Sequence, residues 1–222
     1  METLKKAGSA EQAQELSEEV LAKINRFTLA PLSAEQVFTF KIGAADDQVD
    51  RDEERFTPEC LSQLAKLFVG KTVIFDHEWS AGKQTARVFD GETVTENGVT
   101  KLLLYAYMLR NDKTQPTINA INGGILREVS VGCAVSKATC SICGESFCGC
   151  PHRKGEVYDG KSCHVDLSEA TDAYELSFVA VPAQREAGVT KSANAKLAAT
   201  DAEKKLNLLR KRLELKNKII KI

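Results

Sequence analysis

The sequence predicts an α+β fold in which helical segments come first and strands dominate the middle of the chain. Residues 10–26 carry apolar side chains at helical spacing. From residue 71 to residue 182, segments rich in β-branched and aromatic residues alternate with turn signals such as DGE and ENG. A chain of 222 residues is long enough for one sizeable domain with extensions at its termini.

The individual elements are predicted in chain order. A strand is expected in EQVFTFKIG, residues 35–43, and a charged loop follows it. TPECLSQLAKLFVG, from residue 57, has a Thr-Pro start, an early glutamate and a closing glycine, which predict a capped helix. Further strands are expected in KTVIFDHEW, QTARVFDGETV, VTKLLLYAYML, LREVSVGCAV and AYELSFVAV, with a short helix at QPTINAING before the last two.

The composition shifts along the chain predict three parts. They are an N-terminal helical extension at 1–34, a main domain at 35–190 and a basic helical tail at 191–222. The net charge is −1, but residues from Lys204 onward carry +7, so the first 203 residues carry −8. The tail has one apolar helical stripe, which suits a partner-binding or coiled-coil helix, a tail for nucleic acid or an acidic partner, or a segment removed during maturation.

The overall composition is that of a soluble globular protein, with 43% hydrophobic and 27% charged residues. No apolar run approaches the roughly 20 residues that span a membrane, so no membrane partner is expected. The N-terminal residues lack the apolar core of a secretory signal. These observations predict a cytoplasmic protein.

The cysteines are concentrated in an insertion at residues 139–164. Five of the seven fall within 24 residues, which favours a metal site over a disulfide framework. A Cys-x2-Cys pair on a tight turn and a Cys-x-His pair can complete a tetrahedral site, and zinc is the default metal. The preferred ligands are Cys140, Cys143, Cys150 and His152. Cys148, Cys163 and His164 are the alternatives, and an iron–sulfur cluster or a redox pair remains open. Four protein ligands leave no open position, so the zinc would be structural and not catalytic.

One histidine remains for catalysis if zinc takes His152 and if His164 belongs to the same insertion. That residue is His77, which directly follows the apolar strand TVIF. A nucleophilic serine needs a base within hydrogen-bond reach and a third group that orients the base. Ser130 and Glu175 are suitable residue types, but spacing alone is a weak signal.

The motif Glu-x-Ser occurs in both LREVSVGCAV and YELSFVAVPA. Gly132 and the pair at 123–124 leave room for a peptide beside Ser130, whereas Ser177 has the bulky Phe178 next to it. Ser130 is therefore preferred as the nucleophile, and Glu128 is interpreted as a solvated strand carboxylate.

The ordered motifs FDHEWS, LREVSVGC, the insertion CSICG…CPH and the segment YELSFVAVPA resemble the prohead proteases of tailed phages. The resemblance covers roughly residues 35–190. That family is similar in fold to the herpesvirus assemblins, so the resemblance implies a closed antiparallel β-barrel flanked by helices. The cysteine insertion departs from the commoner pattern of the family.

Carried over residue by residue, the resemblance makes His77 the general base, Ser130 the nucleophile and Glu175 the third member of a triad. Asp76, Glu78 and Glu128 remain alternatives for the third position. Arg185 is a candidate near the oxyanion. No cofactor is required for this chemistry.

The resemblance also implies partners and a location. The substrates would be the major capsid protein, scaffold segments and the chain itself, inside the immature capsid in the host cytoplasm. Nucleic acid is not the expected main partner, and the resemblance leaves room for a homo-oligomer. The alternatives are a non-catalytic zinc-stabilised binding module in capsid assembly and a metal-dependent hydrolase.

Overall fold

The computed structural model describes residues 16–190. The predicted basic tail at 191–222 and the first part of the predicted N-terminal helix lie outside the described residues. Within them, helices α1 to α3 span Glu18–Asn25, Pro58–Leu67 and Gln115–Asn122. None of these helices is long and apolar enough to cross a bilayer.

Ten strands and three short 3₁₀ helices make up the rest of the regular structure within residues 16–190. Strands β1 to β10 span Val37–Asp46, Glu54–Phe56, Thr72–Phe75, Ala86–Glu96, Val99–Leu109, Val129–Cys140, Val157–Tyr158, Lys161–Ser162, Val165–Phe178 and Gly188–Val189. The strands predicted at 35–43, 71–79 and 126–135 are confirmed as β1, β3 and β6, but their ends differ. Strand β3 ends at Phe75, and β6 starts at Val129 and continues through the predicted start of the cysteine insertion.

The capped helix predicted from residue 57 is confirmed as α2. The Thr57 side chain accepts a hydrogen bond from the backbone N–H of Cys60, and Pro58 occupies the first turn, where its missing N–H has no cost. The helix packs its buried face, which includes Leu61 and Leu64, against β4, β5 and β9.

The main sheet has eight strands. Seven of them follow the order β10-β1-β5-β4-β3-β9-β2, and β6 pairs with β9. Most pairs are antiparallel, but β2 and β3 both run parallel to β9. Strand β9 is long enough for both, because β2 pairs with its first residues and β3 with its last.

The closed antiparallel barrel implied by the resemblance is wrong, because the sheet is open and mixed. Its two parallel pairs are incompatible with an all-antiparallel arrangement. Strands β6 and β10 form no ladder, and the link between these two parts of the sheet is one isolated bridge between Glu128 and Gly188. Strand β10 is only two residues long, which is too short to close a ring.

Helix α2 and the sheet enclose the main hydrophobic core. Phe40, Phe68, Leu102, Leu104 and Leu176 are among its fully buried side chains. A smaller cluster forms where α1 packs against β4 and β5. The core therefore packs against one face of β3 and β9. The polar groups described below lie near the C-terminal ends of these two strands.

Replacing Gly91 by alanine tests the close packing of α2 on β4. A Cβ atom at this position would overlap the backbone oxygen of Ala65 and crowd Leu104. We expect Gly91→Ala to lower the free energy of unfolding by about 1–3 kcal/mol, measured by urea denaturation. The control is Gly82→Ala, where the nearest atom to the new Cβ is Ser80 Oγ at 3.9 Å. Equal stabilities of the two variants would contradict the close packing.

Candidate active site and metal centre

A tight turn at the end of β3 presents His77. The backbone oxygen of Phe75 accepts a hydrogen bond from the N–H of Glu78 at 3.0 Å. Asp76 and His77, the two central residues, have φ values of 52° and 54°, the signs of a type I′ turn. Aspartate and histidine tolerate this left-handed conformation better than most residues, so the sequence suits the turn.

The turn is attached to β9 by two hydrogen bonds. The N–H of Asp76 donates to the backbone oxygen of Phe178 at 2.9 Å, and the N–H of His77 donates to Ser177 Oγ at 3.0 Å. The imidazole itself is 44% exposed. The backbone of His77 is therefore fixed while its ring remains accessible.

Glu175 lies in β9 between β3 and β6, opposite Thr72 on one side and Gly132 on the other. Its side chain is only 3% exposed. One carboxylate oxygen, Oε1, is 2.7 Å from His77 Nδ1, and the other, Oε2, accepts a hydrogen bond from Ser177 Oγ at 2.6 Å. Both oxygens of this buried carboxylate are thus hydrogen-bonded, which is the arrangement that offsets its loss of hydration.

Gly132 provides the space for that carboxylate. A Cβ atom at this position would overlap Glu175 Oε1. The sequence suggested that Gly132 gives clearance to a substrate, but its nearest neighbour is the side chain of Glu175. Any larger residue here would displace the partner of His77.

Ser130 lies in β6 directly opposite Ser177. It is half-buried and lines a cavity of about 560 Å³ together with His77, Gly132 and Glu175. Among residues 16–190, no hydrogen bond joins the Ser130 hydroxyl to the imidazole. The structure therefore brings the three predicted residues to one cavity and joins two of them directly.

Ser177 has a role that the sequence comparison of the two Glu-x-Ser motifs missed. Its side chain is fully buried, donates to Glu175 and accepts from the backbone of His77. The available signal was the spacing of two residues, which puts Glu175 and Ser177 on the same face of β9.

The other carboxylates proposed for the third position do not contact the imidazole in the described structure. Glu78 pairs with Lys83 at 3.3 Å, and Glu128 forms the bridge to Gly188. Arg185 is exposed and does not line the cavity, whereas its neighbour Gln184 does.

A cysteine in the same cavity is an unsuitable nucleophile. Burial raises the pKa of the Cys133 thiol to about 12, with smaller contributions from Cys60, Glu175 and Glu54. The thiolate is the reactive form of cysteine, so this side chain is inert at neutral pH. Ser130 is the serine that shares the cavity with the imidazole.

The predicted cysteine and histidine ligands form a second cluster at the other end of β6. The candidate ligand atoms of the four residues all lie within 4.8 Å of one another: Cys140, Cys143, Cys150 and His152. Cys140 Sγ lies 3.7 Å from His152 Nδ1. Ligands of a tetrahedral zinc ion with bonds of about 2.0–2.3 Å are separated by about 3.3–3.8 Å, so the donor set and the distance between Cys140 and His152 fit such an ion. This Cys₃His cluster can hold a metal ion.

The loop of the Cys-x2-Cys pair prepares Cys140 for this role. Burial raises the pKa of its thiol, but hydrogen bonds from the backbone N–H groups of Cys143 and Ile142 oppose this and lower the pKa to about 6. The thiolate is the form that binds metal. Gly144, with a φ of 77°, donates its N–H to the oxygen of Cys140 and closes the turn.

The alternative ligands have different positions. Cys163 Sγ lies 3.8 Å from Cys140 Sγ and is buried beside the cluster. His164 Nε2 lies 3.4 Å from Asp166 Oδ1, in a contact without hydrogen-bond geometry. Cys148 is exposed.

Comparison with known proteins gives no match to a family model, to a curated protein or to a solved structure. The resemblance to prohead proteases therefore depends on the motifs in the sequence, and the geometry of the site is an independent observation.

Two serine variants distinguish the structural role of buried Ser177 from the more accessible hydroxyl of Ser130. Ser177→Ala leaves a buried carboxylate oxygen and a backbone N–H without their partner, so we expect it to lower the free energy of unfolding by about 1–3 kcal/mol. Ser130→Ala removes a hydroxyl that makes no hydrogen bond within residues 16–190, and it should change stability by less than about 0.5 kcal/mol. Urea denaturation measures both, and a larger loss in Ser130→Ala would contradict these assignments.

Proposed function

We propose that this chain is a serine endopeptidase with Ser130 as nucleophile, His77 as general base and Glu175 as the residue that orients the base. The observation that carries the proposal is the 2.7 Å hydrogen bond between buried Glu175 and His77 in the cavity that Ser130 lines. A base held by a third group beside a serine hydroxyl is the arrangement that acyl transfer requires.

The orientation of the imidazole assigns its two nitrogens. Nδ1 faces Glu175, so Nε2 is the nitrogen that can take the serine proton. In the proposed reaction, Ser130 Oγ bonds to the scissile carbonyl carbon as its proton moves to Nε2 of His77. The imidazolium then gives this proton to the leaving amine as the C–N bond breaks. Water, deprotonated by the same imidazole, attacks the ester carbonyl; the proton returns to Ser130, and the acid is released.

The side chains of Ser130 and His77 are not hydrogen-bonded within residues 16–190, and this is compatible with the proposed mechanism. Hydrogen bonds between catalytic groups are often long without substrate and shorten in the complex. The backbone of His77 is held by Ser177, and Ser130 lies directly opposite Ser177, so both groups are positioned by the same residue.

The surroundings of the site favour cleavage within a chain. Trp79 and Tyr174 pack against each other with ring centroids 5.4 Å apart and are 71% and 42% exposed. Together with Glu175 they line both the 560 Å³ cavity and a second cavity of about 370 Å³. A peptide that lies along these rings can therefore occupy both cavities, as the extended substrate of an endopeptidase would.

The biological setting is proposed from the motif order in the sequence. The substrates would be the major capsid protein, scaffold segments and the chain itself, within the immature phage capsid in the host cytoplasm. The basic tail after residue 190 suits a targeting or scaffold-binding segment.

For the Cys₃His cluster, we propose a structural zinc ion held by Cys140, Cys143, Cys150 and His152. When bound, the ion would stabilise the connection between β6 and β9. Ten residues of β6 separate Cys140 from Ser130, which corresponds to about 30 Å along an extended strand. At this distance the metal does not contact the reacting groups.

Labelling with a biotinylated fluorophosphonate tests the nucleophile without a known substrate. We expect stoichiometric labelling of the full chain at Ser130, identified by peptide mass spectrometry, and none in Ser130→Ala. Glu175→Gln should slow labelling by a factor on the order of 10² or more, because the imidazole loses its orienting carboxylate. Ser136→Ala, an exposed serine of β6 outside the cavity, is the control. Labelling that persists in Ser130→Ala would refute the proposal.

Metal analysis tests the structural ion. We expect one zinc ion per purified chain, its loss in Cys143→Ser and its retention in Cys148→Ser, the exposed cysteine outside the cluster. Chelation should lower the melting temperature by roughly 5 °C or more. A chelator that abolishes fluorophosphonate labelling while the fold stays intact would assign the metal a catalytic role instead.

A non-catalytic binding module is the second candidate. The Cys₃His cluster favours it, because a metal-stabilised insertion is compatible with a purely structural protein. In that case the full chain would bind zinc but would not react with the fluorophosphonate. The two experiments together therefore separate the candidates.

A further inference from the structure

The candidate active-site cavity has one acidic wall. Asp50, Asp52 and Glu54, on the segment that leads into β2, all line it, and we refer to them as the acidic wall. The part of the chain that the structure describes contributes no lysine or arginine to the cavity lining. Glu175 adds a fourth carboxylate, but its two oxygens are already hydrogen-bonded to His77 and Ser177.

The charge of the acidic wall is only partly compensated. Glu54 pairs with Lys154 at 2.8 Å, and both side chains are about one-third exposed. Asp50 is 8% exposed, and its Oδ1 accepts hydrogen bonds from the backbone N–H groups of Asp52 and Glu54, each at 2.9 Å. Asp52 has no ion pair within residues 16–190. Among residues 16–190, Glu54 is thus the one carboxylate of the three with an ion-pair partner, and burial raises the pKa of Asp50.

A separate residue in the same cavity indicates a ligand. Gln184 lines the cavity, is 6% exposed, and its side-chain Nε2 is buried without a hydrogen-bond partner in the described structure. An unpaired buried amide donor costs about 1–3 kcal/mol. A carbonyl oxygen of a bound chain is the kind of acceptor that would remove this cost.

Gln184 and the acidic wall are held together by Arg51. Its backbone N–H donates to the oxygen of Ala183 at 3.1 Å, and its guanidinium donates to the oxygen of Pro182 at 2.6 Å. The hydrogen-bond donor and the carboxylates therefore keep a constant spacing. They match a ligand that offers both a carbonyl oxygen and a cation, which a peptide containing lysine or arginine does.

We propose that the acidic wall and Gln184 form a subsite for a lysine or arginine residue of the peptide substrate. The carboxylates of Asp52 and Glu54 contact the cationic side chain, and Gln184 donates to a carbonyl oxygen of the peptide. This inference rests on the proposed function and adds the class of residue that the site selects.

Cleavage profiling of a mixed peptide library with the full chain tests the subsite. We expect lysine and arginine to be enriched at one fixed position relative to the cleaved bond. For a peptide cleaved in this way, kcat/KM is compared with that of an analogue in which norleucine replaces the lysine or arginine. Asp52→Asn and Glu54→Gln should each lower the ratio of these two kcat/KM values by about threefold or more. Glu53→Gln, the adjacent residue outside the cavity lining, makes the same charge change and should leave this ratio unchanged.

A binding measurement does not depend on turnover. Trp79 is the only tryptophan of the chain and lines the cavity, so its fluorescence reports on occupancy. With Ser130→Ala, a lysine-containing peptide pool should bind at least about threefold tighter than the same pool with norleucine. Addition of 0.5 M salt should remove most of this difference, because it screens the charges (Debye length of about 3–5 Å).

The outcomes separate the subsite from the proposed function. Equal binding of the two pools, or the same loss of preference in Glu53→Gln as in Asp52→Asn, would overturn the subsite and leave the peptidase proposal intact. Failure of the full chain to react with the fluorophosphonate would overturn the peptidase proposal itself. Equal melting temperatures of the wild-type chain and the acidic-wall variants establish that these variants are folded.

Discussion

The buried carboxylate of Glu175 sets the arrangement of the candidate active site. A charge in this position is costly unless every oxygen has a partner, and here Ser177 and His77 supply those partners. The requirement extends outward from there. Position 132 must be a glycine so that the carboxylate fits. The left-handed turn at Asp76 and His77 must direct the imidazole towards β9.

Strand β9 connects this constraint to the rest of the molecule. Its first residues pair with β2 and with the end of β6 near Cys140, and its last residues pair with β3 and with the start of β6 near Ser130. The hairpin of β6 and β9 therefore carries the candidate metal centre at its connection and the candidate active site at its other end. A metal ion there would act through the geometry of the hairpin and not through contact with a substrate.

The sequence predicted some features because they depend on local chemistry. The Thr-Pro start of α2, the β-branched and aromatic residues of β1 and β6, and the Cys-x2-Cys turn can be recognised within a few residues. The closed barrel could not be judged in this way, because alternation shows which face of a strand is buried but not which strand pairs with each edge. The parallel pairing of β2 and β3 with β9 depends on contacts between segments far apart in the chain.

The same distinction applies to the residues of the site. The sequence by itself determined the reactive residue types, the single histidine outside the cysteine insertion, and the metal-ligand spacing, because these follow from residue identity and short-range order. Tertiary structure alone decided that Glu175 and not Asp76, Glu78 or Glu128 meets His77. It also decided that buried Ser177 is hydrogen-bonded to Glu175 and to the backbone of His77, and that Gly132 makes space for a carboxylate. The reason is that strand pairing sets which side chains face each other across β3, β9 and β6, and nothing local in the sequence encodes that register.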